Sequence, residues 1–325
     1  MEFLDNFINS DVLTYTPETA RKRSSHIFYD LVDYFKTDLT TGQSMNAYYF
    51  HFTVEKILSF SRNRQLKTAQ LLYQKVLEMD KQFCPAIVDP GMRSFLLSCE
   101  GYLDYAQSEY DSALSKMNEA IEFTLSQGDT MPRFIVSVYE LQLNILRVHI
   151  KMQNTAAMAQ LATRLLNSLF FDENDLPQFS SEMSKLDEEE RATWLGHILG
   201  NFIYSLNQNY AADPSEIRRI LRRVLQAFFE AGVRQPDKNI HVYNALRILY
   251  AASQEDFAEF NVLLNRHFGS LKYCADNVKR EILKNYLEMS EHLVPVLEEH
   301  ANFGIFLSTI APYNLTYKKQ KQIAA

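Results

Sequence analysis

The chain has 325 residues, of which 46% are hydrophobic and 22% charged, a composition typical of soluble globular proteins. Its nine glycines and nine prolines are few for this length, which disfavours turn-dense all-β folds and favours helices with short connections. The formal net charge of -7 argues against a general nucleic-acid binder, because such proteins usually carry a basic domain.

The cysteines and the N-terminal residues indicate the cellular compartment in which the protein is expected to lie. Cys84, Cys99 and Cys274 are spaced too irregularly for a zinc module, and an odd number of cysteines fits no closed disulfide framework. We therefore expect buried free thiols in a reducing compartment. Glu2 and Asp5 stand where a signal peptide carries positive charge, and no window approaches the roughly 18 apolar residues of a membrane span. These features predict a cytoplasmic chain without a membrane segment.

Helix signals follow one another through the first half of the chain. Thr16 before Pro17 is typical of an N-cap and a first helical residue, and the segment from Thr40 to Gly42 is expected to close that helix. Gly128 suits a C-terminal cap. Further helices are predicted over 65–79, over two segments within 95–124, from Pro132 to about 151 and from 155 to about 169.

The second half resumes the helical pattern after an acidic, proline-containing segment over 172–190, which we predict to be a linker or long loop. Asp237 is expected to cap a helix, and Ser253 with Asp256 resembles a capping box. A last long helix is predicted to open at Asp276. The predicted divisions are 1–171 for N-terminal helical repeats, 172–190 for the linker, 191–311 for a C-terminal helical region and 312–325 for a flexible tail.

A packing code in residues 95–124 indicates two closely crossing helices. Small residues stand where two backbones must touch, at Gly101, Ala113 and Ala120, and bulky residues occupy the positions between them. A second copy lies about 44 residues earlier and aligns Leu66, Ala69, Tyr73 and Val76 with Tyr110, Ala113, Met117 and Ala120. A third, weaker copy places Met158 or Ala159, Ala162 and Leu165 at the equivalent positions. We find no clean copy over 187–311.

This code resembles the tetratricopeptide repeat, whose period is 34 residues. The longer period here makes the chain similar to a divergent member, close in period to the helical-repeat domains of peptide-sensing bacterial regulators. The resemblance implies an all-α fold, a TPR-like superhelix of antiparallel helix pairs arranged as one stack or as two halves. The alternative is a generic α-helical bundle whose alanines at helix crossings arise from packing alone.

Motifs of common enzymes are absent from the sequence. It contains no Gly-rich phosphate loop, no HExxH motif and no nucleophile elbow. The nearest pair of histidines, His292 and His300, has Pro295 between its members, which disfavours a shared metal. We therefore predict no catalytic activity, no cofactor and no metal. An enzyme whose α-helical site uses dispersed residues is the remaining alternative.

One concentration of charge has a candidate function. In the segment IRRILRRV, Arg219, Arg222 and Arg223 gather on the helix face opposite the apolar residues, and Arg218 sits at the border. Arginine forks suit carboxylates and phosphates, so this face is a candidate partner-binding site. Two alternatives are a simple solvated face and an intramolecular contact with the acidic segment 172–190.

The resemblance to helical repeats implies a function in binding. We expect a non-catalytic scaffold that holds another protein or a peptide on the concave face of the array, and no nucleic acid or membrane. The alternative is a ligand-responsive regulator, in which peptide binding acts through a protein partner.

Overall fold

The computed structural model describes residues 12, 40–83, 89–128, 132–173, 184–230, 236–290, 300, 302–313 and 315. These residues form twelve α-helices with three 3₁₀ segments and no strand, which confirms the predicted all-α class. The first six helices are α1 (Thr41–Arg62), α2 (Leu66–Phe83), α3 (Asp89–Ala106), α4 (Tyr110–Ser126), α5 (Val138–Lys151) and α6 (Thr155–Phe171). The next six are α7 (Glu188–Asn209), α8 (Pro214–Glu230), α9 (Ile240–Ser253), α10 (Phe257–His267), α11 (Asp276–Met289) and α12 (Phe303–Ile310). The 3₁₀ segments are Pro132–Ser137, Phe268–Tyr273 and Ala311–Tyr313.

The chain divides into two compact units. The first unit is Arg21–Leu186, with helices α1 to α6, and the second is Asp187–Ala325 together with Met1–Ala20, with helices α7 to α12. The helix predicted after Thr16 lies outside the described residues, as do residues 174–183 of the predicted linker and most of the predicted tail. The predicted domain boundaries therefore stay predictions.

Each helix pair of the first unit is closed by the same three-residue turn. The middle residue of the turn is left-handed, with φ of 58° at Arg64, 69° at Ser108 and 57° at Gln153. The backbone N–H of the third residue returns to a carbonyl five residues earlier, as in a Schellman motif. These hydrogen bonds run from Gln65 to Phe60 (2.8 Å), from Glu109 to Asp104 (2.9 Å) and from Asn154 to His149 (3.0 Å). The third residues recur 44 and 45 residues apart, at 65, 109 and 154.

The second unit contains a further copy of this turn, although residues 187–311 show no clean copy of the packing code. Glu255, between α9 and α10, has a φ of 61°, and the N–H of Asp256 reaches the carbonyl oxygen of Ala251 at 3.3 Å. The fourth residue after the turn begins the buried face of the following helix in every copy. That residue is Ala69, Ala113, Met158 or Phe260, each at 0% exposure. The structure therefore aligns Met158, and not Ala159, with the first two copies.

The close crossing predicted from the packing code is confirmed between α3 and α4. A Cβ atom built on Gly101 would lie 3.0 Å from Met117 Cγ and 3.2 Å from the carbonyl oxygen of Ala113. Ala113 and Ala120 are fully buried. Small side chains at these positions let the two backbones approach, because a larger one would push the helix axes apart.

Several predicted helix ends are corrected by the structure. Thr40 does not close a helix but begins α1 as a capping box, since its hydroxyl accepts from the N–H of Gln43 and the Gln43 side chain accepts from the N–H of Thr40. Asp237 is not the cap of α9, which starts after Asn239 in a left-handed conformation. The N-cap of α10 is Asp256, whose carboxylate accepts from the N–H of Glu259 at 3.0 Å.

Three further predictions fail, at the start of α5, at the end of α9 and after the end of α4. Pro132 opens a 3₁₀ segment, so that α5 begins only at Val138. Ser253 is the last residue of α9 and takes no part in a capping box. Gly128 is not a left-handed cap either, because no described glycine has a positive φ. A Cβ on Gly128 would lie 2.8 Å from Ile135 Cδ1, so a larger residue there would force the Ile135 side chain to shift.

Two of the three cysteines can be placed. Cys99 in α3 and Cys274 before α11 are free thiols with side chains 1% and 8% exposed, which confirms the prediction of buried thiols for these two. Burial raises the pKa of each thiol to about 12, because the thiolate loses its hydration. Cys84 lies outside the described residues. Within the described part of the chain, no helix combines the length and apolar character needed to cross a bilayer.

Candidate functional site

The arginines of α8 do not form one uniform binding face. Arg219 is 65% exposed and its fork is held by Glu216, with Nε at 2.7 Å and Nη2 at 2.6 Å from the two carboxylate oxygens. Arg222 is half-buried and donates through Nε and Nη2 to the carbonyl oxygen of Ser253, at 2.7 Å from Nε. Arg223 is exposed and makes no hydrogen bond or ion pair within the described residues.

Arg222 and Arg218 hold the turn between α9 and α10. The positive guanidinium of Arg222 meets the last carbonyl of α9, where the helix dipole favours a cation. Arg218 lies 2.7 Å from a Glu288 carboxylate oxygen on α11 and 3.4 Å from one of Glu255 within the turn. These contacts give two of the four arginines a structural role. Partner binding by Arg219, Arg222 and Arg223 stays a prediction.

The role of Arg222 can be tested by charge reversal. Arg222→Glu should lower the free energy of unfolding by about 2 kcal/mol, because it removes a charge-assisted hydrogen bond and places a carboxylate at the C-terminus of α9. Arg223→Glu is the matched control and should change stability by less than about 0.5 kcal/mol. Urea unfolding measures both variants. Equal stability of the two would contradict the capping role.

A buried polar cluster joins α7 to α11 and is structural. Glu281 is 1% exposed, and one of its carboxylate oxygens accepts from Asn207 Nδ2 at 2.8 Å. The other carboxylate oxygen lies 3.4 Å from Lys284 Nζ and from Asn285 Nδ2. Both carboxylate oxygens have side-chain partners on the two helices, so the cluster satisfies its buried polar groups and links α7 to α11. Among the described residues, no group of three or more His, Cys, Asp or Glu could hold a metal ion.

An apolar row of exposed side chains lies on α1, and we call it the α1 face. Met45, Tyr49 and Phe52 are 66%, 58% and 52% exposed, and they lie one helical turn apart on the same side. The opposite side of α1 is buried in the core of the first unit through Ala47, Phe50, Val54 and Ile57. Large apolar side chains of this kind are usually withdrawn from water, so an exposed row is a candidate site of interaction.

Basic side chains continue from the α1 face toward α2. Lys56 stands one turn after Phe52, and its Nζ lies 5.1 Å from the centroid of the Phe52 ring. Residues 56–77 contain five basic residues and no acidic one, in a chain whose net charge is -7. We call these five the basic run, and all of them are exposed: Lys56, Arg62, Arg64, Lys67 and Lys75.

The α1 face could not be predicted from the sequence, for a physical reason. Residues 47–54, AYYFHFTV, are aromatic or apolar at every position except His51 and Thr53, so periodicity alone does not say which aromatic residues face the core. The packing of α2 and α3 decides this by covering the side of α1 that carries Phe50. The absence of acidic residues from 56 to 77 was visible in the sequence and would have drawn attention to the same hairpin.

No family model, curated protein or solved structure matches this chain. The resemblance to helical repeats therefore depends on the packing code and on the recurrent turns described above.

Proposed function

We propose that this protein is a non-catalytic scaffold that binds another protein or a peptide through the α1 face. The observation that carries the proposal is the row of Met45, Tyr49 and Phe52, each more than half exposed on one helix. Aromatic residues and methionine are enriched in protein interfaces because they bury large areas on contact. The row belongs to a helix whose other side is fixed in the core, so the site is held in place before a partner arrives.

The proposal includes a TPR-like architecture for the first unit. Its support is the recurrence of one turn after α1, α3 and α5, together with the small residues at the crossing of α3 and α4. Arrays of such helix pairs offer long surfaces for extended or helical ligands. The two buried free thiols fit a reducing compartment, and we propose the cytoplasm as the place of action.

The test is capture of a partner by the tagged full-length chain from a lysate of the cells that express it. Replacing Tyr49 and Phe52 together by Asp should reduce the captured stoichiometric partner at least about tenfold, because two carboxylates would be buried without partners in the interface. Quantitative mass spectrometry of the eluate measures the effect.

The control introduces the same residue, aspartate, at an exposed apolar position outside the α1 face. Val262 on α10 is 48% exposed, and Val262→Asp should leave capture and thermal stability unchanged. Equal capture by the wild-type chain and the Tyr49→Asp, Phe52→Asp variant would contradict the α1 face as the binding site. An enzyme would instead show turnover that does not depend on any captured protein.

A further inference from the structure

The exposed side of α1 has the spacing of a seam that receives a second helix. Met45, Tyr49, Phe52, Lys56 and Ser59 are exposed and follow one another at intervals of four, three, four and three residues. This alternation is the one by which a helix packs knobs into the holes of a neighbouring helix. An extended peptide would require unpaired backbone groups or pockets, whereas a straight apolar row on a helix offers a groove to another helix.

The seam changes polarity along its length. Its first half is apolar, from Met45 to Phe52, and its second half begins with Lys56 and leads into Arg62 and Arg64 at the turn to α2. Within 56–77 no carboxylate of the same segment neutralises these cations. A ligand that lies along the seam therefore meets an apolar surface first and a positive one beyond it. Electrostatic complementarity then favours carboxylates at one end of the ligand.

We propose that the α1 face and the basic run together bind an acidic amphipathic helix of another protein, an inference that rests on the function proposed above. The apolar residues of that helix pack against Met45, Tyr49 and Phe52. Its carboxylates pair with Lys56 and with the arginines at the turn. Lys56 joins the two halves, because its ammonium already lies over the Phe52 ring and remains exposed to a carboxylate. An anionic membrane is a poorer occupant, since the net charge of -7 opposes approach of the whole chain to such a surface.

Selection of peptides on the full-length chain tests this inference. A library of random peptides of about 18 residues, long enough for five helical turns, is selected on the wild-type chain and counter-selected on Phe52→Asp. We expect the enriched peptides to be amphipathic helices with a net negative charge. Neutral or basic consensus peptides, or no enrichment at all, would overturn the inference.

Charge reversal then tests the basic run with one selected acidic peptide as the probe. Lys56→Glu with Arg64→Glu should weaken binding in fluorescence anisotropy at least about tenfold, and added salt should weaken binding to the wild-type chain. The control pair is Lys238→Glu with Arg266→Glu, which reverses two exposed charges in the second unit and should leave the affinity unchanged. Equal affinities in the two double variants would count against the basic run.

Three outcomes separate this inference from the scaffold function. In the first outcome, capture from lysate depends on Phe52 but the selected peptides are not acidic. This result supports the scaffold function and contradicts binding of an acidic helix. Binding to phosphatidylserine vesicles that is lost in Phe52→Asp assigns the surface to a membrane and overturns both. A dimer in light scattering that Phe52→Asp converts to a monomer assigns the surface to a second copy of the chain and overturns the inference.

Discussion

Replacing Gly101 by Leu should lower the free energy of unfolding of the first unit by about 3 kcal/mol. A Cβ at this position already comes within 3.2 Å of the backbone oxygen of Ala113, and a leucine adds three carbons in the same direction. Neither helix can yield cheaply, because one of the α4 atoms in the way, the carbonyl oxygen of Ala113, belongs to the backbone. Urea unfolding followed by circular dichroism should show a transition midpoint at a lower urea concentration, with a similar loss of helical signal across the transition.

Gly196 on α7 supplies the matched control for this substitution. A Cβ on Gly196 meets nothing within 4 Å, so Gly196→Leu loses no packing and gains helix propensity. We expect Gly196→Leu to raise the free energy of unfolding by up to about 1 kcal/mol. Opposite signs at the two positions would attribute the effect to the crossing of α3 and α4. Similar behaviour of the two variants would show that α3 and α4 do not depend on glycine for their approach.

The stability of the first unit should fall steeply as the pH drops from about 6.5 to about 4. The side chain of His51 is 4% exposed, and burial lowers its pKa to about 4 because the charged ring loses its hydration. Between pH 6.5 and pH 4 the His51 ring is protonated in the unfolded chain but not in the folded chain. The free energy of unfolding therefore decreases as the pH falls. A pKa difference of this size corresponds to about 3 kcal/mol once the pH is below both values. Above pH 6.5 the ring is neutral in both states, so His51 no longer makes stability depend on pH.

Comparison with His51→Leu isolates this imidazole from the carboxylates that titrate in the same range. The difference between wild type and variant should grow as the pH falls from 6.5 to 4, with the wild type losing more stability. Glu55 Oε1 lies 3.7 Å from His51 Nε2. An ion pair between this carboxylate and the protonated ring would reduce the loss of stability at low pH. His149→Leu measures the share of a second histidine whose pKa burial also lowers. An unchanged pH slope in His51→Leu would exclude His51 as the cause.

The sequence predicts the helices more reliably than it predicts the turns that connect them. Residues 155–169 were predicted as helical and α6 spans Thr155–Phe171, because apolar periodicity and an Asn154 cap act over neighbouring residues only. The recurrent turn was not predicted, because its left-handed residues are Arg64, Ser108, Gln153 and Glu255, which share no side-chain chemistry. The backbone hydrogen bonds define this turn, and many sequences satisfy them.

Candidate sites were harder to predict, because a helical wheel shows which residues share a face and not what covers that face. Arg219, Arg222 and Arg223 share a face of α8, yet Arg222 is engaged by the carbonyl of Ser253, which is distant in sequence. The α1 face shows the reverse case, since Tyr49 and Phe52 resemble core residues by type and are exposed. Tertiary packing decides both outcomes, and it depends on helices that local patterns do not connect.

The two buried thiols allow the motions of each unit to be timed separately. Cys99 belongs to the first unit and Cys274 to the second, so alkylation at either position under native conditions reports a transient opening of its own surroundings. In a Cys84→Ser background, the two trapping rates measured in one sample would rank the units by opening free energy. A ligand that binds the α1 face should slow trapping at Cys99 and leave the trapping rate at Cys274 unchanged.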